Sequence, residues 1–181
     1  MIKICIAVVL TMALFTVQVA KAQNESSSYA YVLPLELALA AATEAIKICE
    51  SSGYRVTATV VDASGVIKVL AKGDKSTIHT KDSSFRKAYT AVTMGPIFKF
   101  DTTGQFVERM AKIARTSAPA DIPNTTALAN IPDIILLQGG VVIRVKGEII
   151  AAIGVGGAPG GDKDEVCAQA GVAKILDRLP K

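Results

Sequence analysis

An α+β fold, a sandwich of a mostly antiparallel five-stranded sheet with flanking helices, follows from three observations in the amino-acid sequence. Segments that alternate apolar and polar residues come in groups joined by short turns, as antiparallel hairpins do. Segments with a three-to-four-residue apolar period lie before, between and after those groups. The resulting order, α-ββ-αα-βββ-α, lacks the regular strand–helix–strand alternation that builds a parallel sheet. The hydrophobic half of the composition (50%) is carried by Ala, Val and Ile, with only 5% aromatic, which suits closely packed layers.

Pro34 occupies a first-turn position and opens a helix to about Ser52, with Leu35, Leu39, Ala42, Ile46 and Cys49 on one stripe and Gly53 as its stop. RVTATVVD (55–62) and VIKVLAK (66–72) are two strands joined by the turn DASG. After the loop GDKSTIH (73–79), Thr80 caps a helix from Lys81 to about Met94 whose stripe is Phe85, Ala88, Tyr89 and Val92. Thr102 and Gln105 form a capping box for a helix to about Arg115. Residues 116–133, with Pro119, Pro123 and Pro132, show no sustained period; a loop of that length in a small domain is usually a lid, a binding loop or a subunit contact. Three strands are expected at 134–138 (IILLQ), 141–145 (VVIRV) and 148–155 (EIIAAIGV), separated by Gly139-Gly140 and a Lys146-Gly147 turn. A glycine-rich loop (156–161) leads to a last helix to about Leu179, with Asp162 and Glu165 as its capping box.

The first 22 residues read as a signal peptide. Lys3 supplies a positive start, residues 4–17 an uncharged apolar stretch, and Ala20-Lys21-Ala22 the small-x-small pattern cut by signal peptidases. The apolar stretch is shorter than the roughly 20 residues of a spanning helix. The expected product begins at Gln23, has a loose tail at 23–32 and a single domain at 33–179, carries no membrane span and is periplasmic or secreted. Lys3 and Lys21 leave with the signal, so the 20 Lys and Arg fall to 18 against 16 Asp and Glu. That balance, with no basic run, excludes a nucleic-acid partner. Cys49 and Cys167 survive cleavage. An oxidising compartment would let them pair if their Cα atoms lie within about 7 Å; two separate buried thiols are the alternative.

His79 is the only histidine, which excludes any triad, metal cage or relay needing two imidazoles from one chain. A lone loop histidine is commonly a solvated bystander, yet a neutral imidazole is also a common metal and haem ligand. His79 stands at the mouth of the helix begun by Thr80, where free backbone N–H groups, Thr80, Ser83 and Ser84 could meet an anionic group, and Arg86 and Lys87 could reach carboxylates. The glycine-rich IGVGGAPGGDKDE (153–165) does not have dinucleotide-binding spacing: position 159 is Pro159, and no second parallel strand follows. Its glycines instead suit close passage of backbone against a ligand or a neighbouring subunit.

Three stretches together resemble a known family: TVVDASGVIKVLAKGD followed by His79-Thr80, RKAYTA (86–91), and GGVVIRVKGEIIAAIGVGG (139–157) with DEVCAQAG (164–171). Over roughly residues 33–178 the chain resembles the haem-binding proteins of the GlcG/HbpS type, the former haem-degrading or DUF336 family, related also to the C-terminal domain of some cobalamin adenosyltransferases. Many relatives carry glycine, alanine and proline before the histidine, where this chain has Lys75-Ser76-Thr77-Ile78. The resemblance implies a profilin-like sandwich, a homo-oligomer that often reaches an octamer, and haem as cofactor in exported members. It further implies His79 as the metal ligand, with Thr80, Ser83, Arg86 and Lys87 around the haem and the two cations on its propionates; Tyr89 is placed in the helix stripe. Two functions follow from different classes: capture, storage or sensing of haem, with or without slow degradation, or an enzyme or carrier for another small anionic metabolite in the same pocket without iron. The sequence assigns no reaction.

Overall fold

The computed structural model describes residues 31–116, 128 and 130–180, which belong to one compact unit. The elements are α1 (Leu35–Ser51), β1 (Thr57–Asp62), β2 (Ile67–Lys72), α2 (Thr80–Phe98), α3 (Thr103–Thr116), β3 (Gly140–Val145), β4 (Glu148–Gly156) and α4 (Gly161–Ala173), followed by a single 3-10 turn at Leu176–Arg178. The strands form one antiparallel sheet in the order β2-β1-β4-β3. The α+β class is as expected; among the described residues the strand count is four. Residues 1–30, which contain the expected signal peptide and most of the tail, and residues 117–127 lie outside the described residues.

The expected strand at 134–138 is extended chain laid across α2. Beyond a turn bond from the Ile134 N–H to the Ile131 carbonyl, two of its backbone groups bond to side chains of α2: Arg86 donates to the Ile134 carbonyl at 2.6 Å, and the Ile135 N–H donates to Thr90 Oγ1 at 2.9 Å. The β3 edge it would have joined is taken instead by the chain entering α3, through a Thr102–Val141 bridge and a bond from the Val142 N–H to the Asp101 carbonyl. An apolar run alone cannot reveal where its backbone bonds go, and here α2 took them.

The two hairpins follow their turn chemistry. Asp62 Oδ1 accepts from the Ser64 and Val66 N–H groups at 2.8 and 3.0 Å. Lys146 (φ 50°) and Gly147 (φ 86°) supply the paired positive dihedrals of a tight β3–β4 turn. The α3 capping box forms, with the Gln105 N–H donating to Thr102 Oγ1 and the Asp101 and Thr102 N–H groups donating to Gln105 Oε1. The one expected at α4 does not. Gly160 is the N-cap there, no side chain caps it, and the helix ends at Ala173, short of Leu179. Helix α2 runs one turn past Met94, through Pro96, and stops at left-handed Lys99.

Alternation along β1 sorts the two layers. Ala58 and Val60 join Ile143, Ile153 and Val155 in the main core under α1 and α4, while Val61 joins Val142 and Ala152 under α2. The buried face of α1 is Leu37, Ala38, Ala41, Ala42, Ala45 and Cys49; Leu35 and Leu39 of the expected stripe are about half exposed (55% and 49%). The small residues face inward because α4 approaches closely: a Cβ on Gly171 would lie 2.5 Å from the Ala41 carbonyl oxygen. Cys49 and Cys167 form a disulfide across this contact, with Cα atoms 5.6 Å apart. A third cluster of Phe100, Phe106 and Met110 joins the buried face of α3 to Met94 and Phe98 at the end of α2.

Candidate functional site

Helix α2 carries the candidate residues, and its seat on the sheet decides which of them face outward. Its buried face is Thr80, Ser84, Lys87, Ala88, Thr90, Ala91, Val92 and Gly95, smaller and more polar than the expected stripe of Phe85, Ala88, Tyr89 and Val92. The sheet beneath explains this. Gly140 and Gly154 are register partners, and a Cβ at either would meet α2 backbone, 2.3 Å from the Lys87 carbonyl and 2.1 Å from the Ser84 carbonyl. A Cβ on Gly156 would lie 2.4 Å from Ser83 Oγ. The glycines of the IGVGG motif thus admit the chain's own helix, the close approach expected of them for a ligand or a second subunit. Beside them Thr59 Oγ1 lies 2.7 Å from Ser84 Oγ, and Thr57 Oγ1 lies 2.7 Å from Thr80 Oγ1.

His79 precedes α2 with helical dihedrals (φ −68°, ψ −15°) and is exposed. At 100° per residue, His79, Ser83 and Arg86 share one ridge of the helix, away from Thr80, Ser84 and Lys87. Ser83 and Arg86 are half-buried, and the bond from Arg86 to Ile134 leaves further guanidinium N–H groups on that ridge. Tyr89 lies over Gly65, off the ridge, 5.7 Å from the Phe85 ring.

Two expected contributors point elsewhere. Lys87 is only 3% exposed; its Nζ donates to Asp164 Oδ2 at 2.6 Å and to the Val155 carbonyl at 2.9 Å. It is neither a propionate cation nor a solvated surface lysine, because α2 turns position 87 onto the sheet. Thr80 is fully buried, its hydroxyl engaged by Thr57 and the Thr77 carbonyl. The helix mouth is also less open to an anion than expected, since the Thr80, Lys81 and Ser83 N–H groups donate to the carbonyls of Thr77, Ile78 and His79.

The sequence reading missed the Lys87–Asp164 pair and its neighbour Glu165. Asp164 Oδ1 accepts from the Ala158 N–H at 2.9 Å, and Glu165 Oε2 accepts from the Gly104 and Gly139 N–H groups at 2.8 and 3.2 Å. This cluster ties α2, α3, the turn before β3 and the loop before α4 to one another. Burial pushes the Asp164 carboxyl up from its ordinary value, against the opposing pull of Lys87 and the Ala158 and Gly157 N–H groups. A signal did exist, since Thr80, Ser84, Lys87 and Ala91 fall at the three- and four-residue spacing of one helix face.

Placement separates the residues that suit haem from those that do not. An exposed imidazole and an arginine on the same ridge fit an axial ligand and a propionate partner; Lys87 and Thr80 do not fit. Among the described residues no group of three or more His, Cys, Asp and Glu could hold a metal ion by itself, and no helix is long and apolar enough to cross a membrane.

The family described as haem degrading protein HbpS-like matches residues 33–173, and the chain belongs to that family. Among solved structures, a double mutant of Streptomyces reticuli HbpS is 35% identical over 82% of this chain and 89% of that one, with a TM-score of 0.68. A further HbpS structure is 34% identical over 82% and 92%, also at 0.68. The complex of PduOC with haem, at 18% identity over 81% and 96% and a TM-score of 0.63, shares the fold. No curated protein sequence matches the chain.

Proposed function

We propose that this chain is an exported haem-binding protein that captures, stores or senses haem outside the cytoplasm. The observation that carries the reading is the sole imidazole, exposed at the start of α2 with Arg86 on the same ridge, in a chain of the HbpS-like family. His79 is the proposed axial ligand, Arg86 the propionate partner and Ser83 a neighbouring hydroxyl. When bound, haem would supply iron redox chemistry; the chain would supply ligation, charge neutralisation and orientation. The fold accommodates haem in PduOC, which supports the reading at the level of architecture.

Export is supported by the signal-like residues 1–22 and by the buried Cys49–Cys167 disulfide, which suits an oxidising compartment. Assembly into a closed homo-oligomer is supported by the large apolar side chains left on the surface, among them Val32, Leu35, Ile67, Leu70 and Ile78. A sedimentation mass equal to one chain at micromolar concentration would count against assembly.

Hemin titration of the purified protein tests the ligand assignment. A Soret band is expected, lost or shifted in His79→Ala. Arg86→Ala should keep the band and bind more weakly by about 1.5–3 kcal/mol. No band with the wild-type protein refutes the haem reading and favours a carrier or enzyme for another small anion. A band and affinity unchanged in His79→Ala place haem on another group or at a subunit contact.

A further inference from the structure

We infer that Thr57 is the positioning residue for His79, its buried hydroxyl holding the loop that delivers the imidazole to the surface. The inference rests on the haem-ligand reading of His79 and concerns how that ligand is held in place.

The loop from Gly73 to His79 has little else to fix it. Only Gly73 and Ser76 are buried; Asp74, Lys75, Thr77, Ile78 and His79 are exposed, Ile78 to 70%. Lys75 adopts a positive φ of 61°, a conformation a non-glycine residue keeps only when its surroundings impose it. With no apolar packing of its own beyond Gly73, the loop depends on polar anchors: the Gly73 N–H donates to the Val56 carbonyl at 3.0 Å where the loop begins, and past that point the contacts to β1 converge on one side chain. Thr57 Oγ1 lies 2.7 Å from Thr80 Oγ1 and 3.2 Å from Ser76 Oγ, so it reaches both the middle of the loop and the first residue of α2. Ser76 Oγ in turn donates to the Gly73 carbonyl at 2.9 Å, and Thr80 Oγ1 donates to the Thr77 carbonyl at 2.5 Å.

Each hydroxyl has a single proton. Those of Thr80 and Ser76 point at backbone carbonyls, so the one proton of Thr57 goes to Thr80 at 2.7 Å, and the 3.2 Å approach to Ser76 is a polar contact that carries no proton of its own. Valine at this position would keep the shape and burial and remove that donor.

The Thr59–Ser84 contact, also 2.7 Å, offers an internal comparison. Ser84 sits inside α2, held by helical bonds on both sides, four residues beyond Thr80. Losing that contact should loosen the helix on the sheet without freeing the loop.

As the only imidazole in the chain, His79 gives a single NMR probe that needs no hemin. In Thr57→Val the His79 ring signal should shift and broaden, amides of residues 77–80 should exchange faster, and hemin affinity should fall roughly tenfold, the equivalent of one ordinary hydrogen bond. Thr57→Ser should restore all three. Thr59→Val should lower the melting temperature and leave the ring signal and hemin affinity at wild-type values. Should Thr57→Val fail to fold, Thr80→Val removes the partner of that Thr57 proton and should move the same signal. An unmoved His79 signal in the folded variant, or an equal movement in Thr59→Val, overturns the inference. If the wild-type protein binds no hemin, the haem reading fails by itself, and the NMR and exchange measurements still decide the role of Thr57.

Discussion

Truncating Asp164 to Ala should remove more stability than any surface change in the domain. Its carboxylate and the Lys87 ammonium lie 2.6 Å apart, each side chain 4% exposed, and Asp164 also accepts from the Ala158 N–H. Removing one partner of such a pair leaves a buried, uncompensated cation whose remaining contact is the Val155 carbonyl, a loss of about 3–5 kcal/mol. Against the 5–15 kcal/mol of a typical domain that is a large fraction. With a urea slope near 2 kcal/mol/M, the unfolding midpoint should fall by about 2 M. The pair itself is a different quantity from either half of it. Because both charges are desolvated, Lys87→Met with Asp164→Leu should recover most of the loss, ending within about 1 kcal/mol of wild type or above it. Urea unfolding of the wild type, both single variants and the double variant closes the cycle. A single-variant loss below about 1 kcal/mol with no coupling would refute the placement of Lys87 against Asp164.

The pair also has a pH signature. The Asp164 carboxyl is raised above its ordinary 3.8, chiefly by burial, so the folded state holds the proton more tightly than the unfolded one. Its favourable contribution is full below 3.8 and is lost as pH rises through the folded value; the stability of wild type relative to Asp164→Asn should therefore increase as pH falls through that window. Urea midpoints that move the opposite way would contradict the burial argument. The Cys49–Cys167 bond closes a sequence separation of 118, so the Cys49→Ala, Cys167→Ala double variant should lose about 2–5 kcal/mol, and an unchanged melting temperature would mean that the bond contributes nothing. Gly154→Ala places a methyl 2.1 Å from the Ser84 carbonyl, and the displacement of α2 should cost about 1–3 kcal/mol by chemical denaturation. Intact mass of the exported protein should begin at Gln23; a product retaining residues 4–17 would end the export proposal.

The sequence by itself determined the local order: both hairpins, because alternation and turn residues act over a few positions, and α1, α2, α3 and α4, because apolar periods and, at α3, a capping box do the same. It also singled out His79 and marked the family through three separated stretches. The tertiary structure alone decided which face of each element turns inward. Leucines of α1 lie outside and alanines inside because α4 comes within reach of backbone at Gly171, a contact between residues more than a hundred positions apart. Residues 134–138 have strand composition but bond to Arg86 and Thr90, since the β3 edge was already occupied. Lys87 and Arg86 are neighbours in sequence with opposite fates: one turns down onto the glycine-lined sheet to meet Asp164, the other stays on the ridge with His79. A 100° step per residue separates them, and which side of that step is the interior depends on where the sheet's glycines let the helix rest, information spread over β3 and β4 and absent from α2.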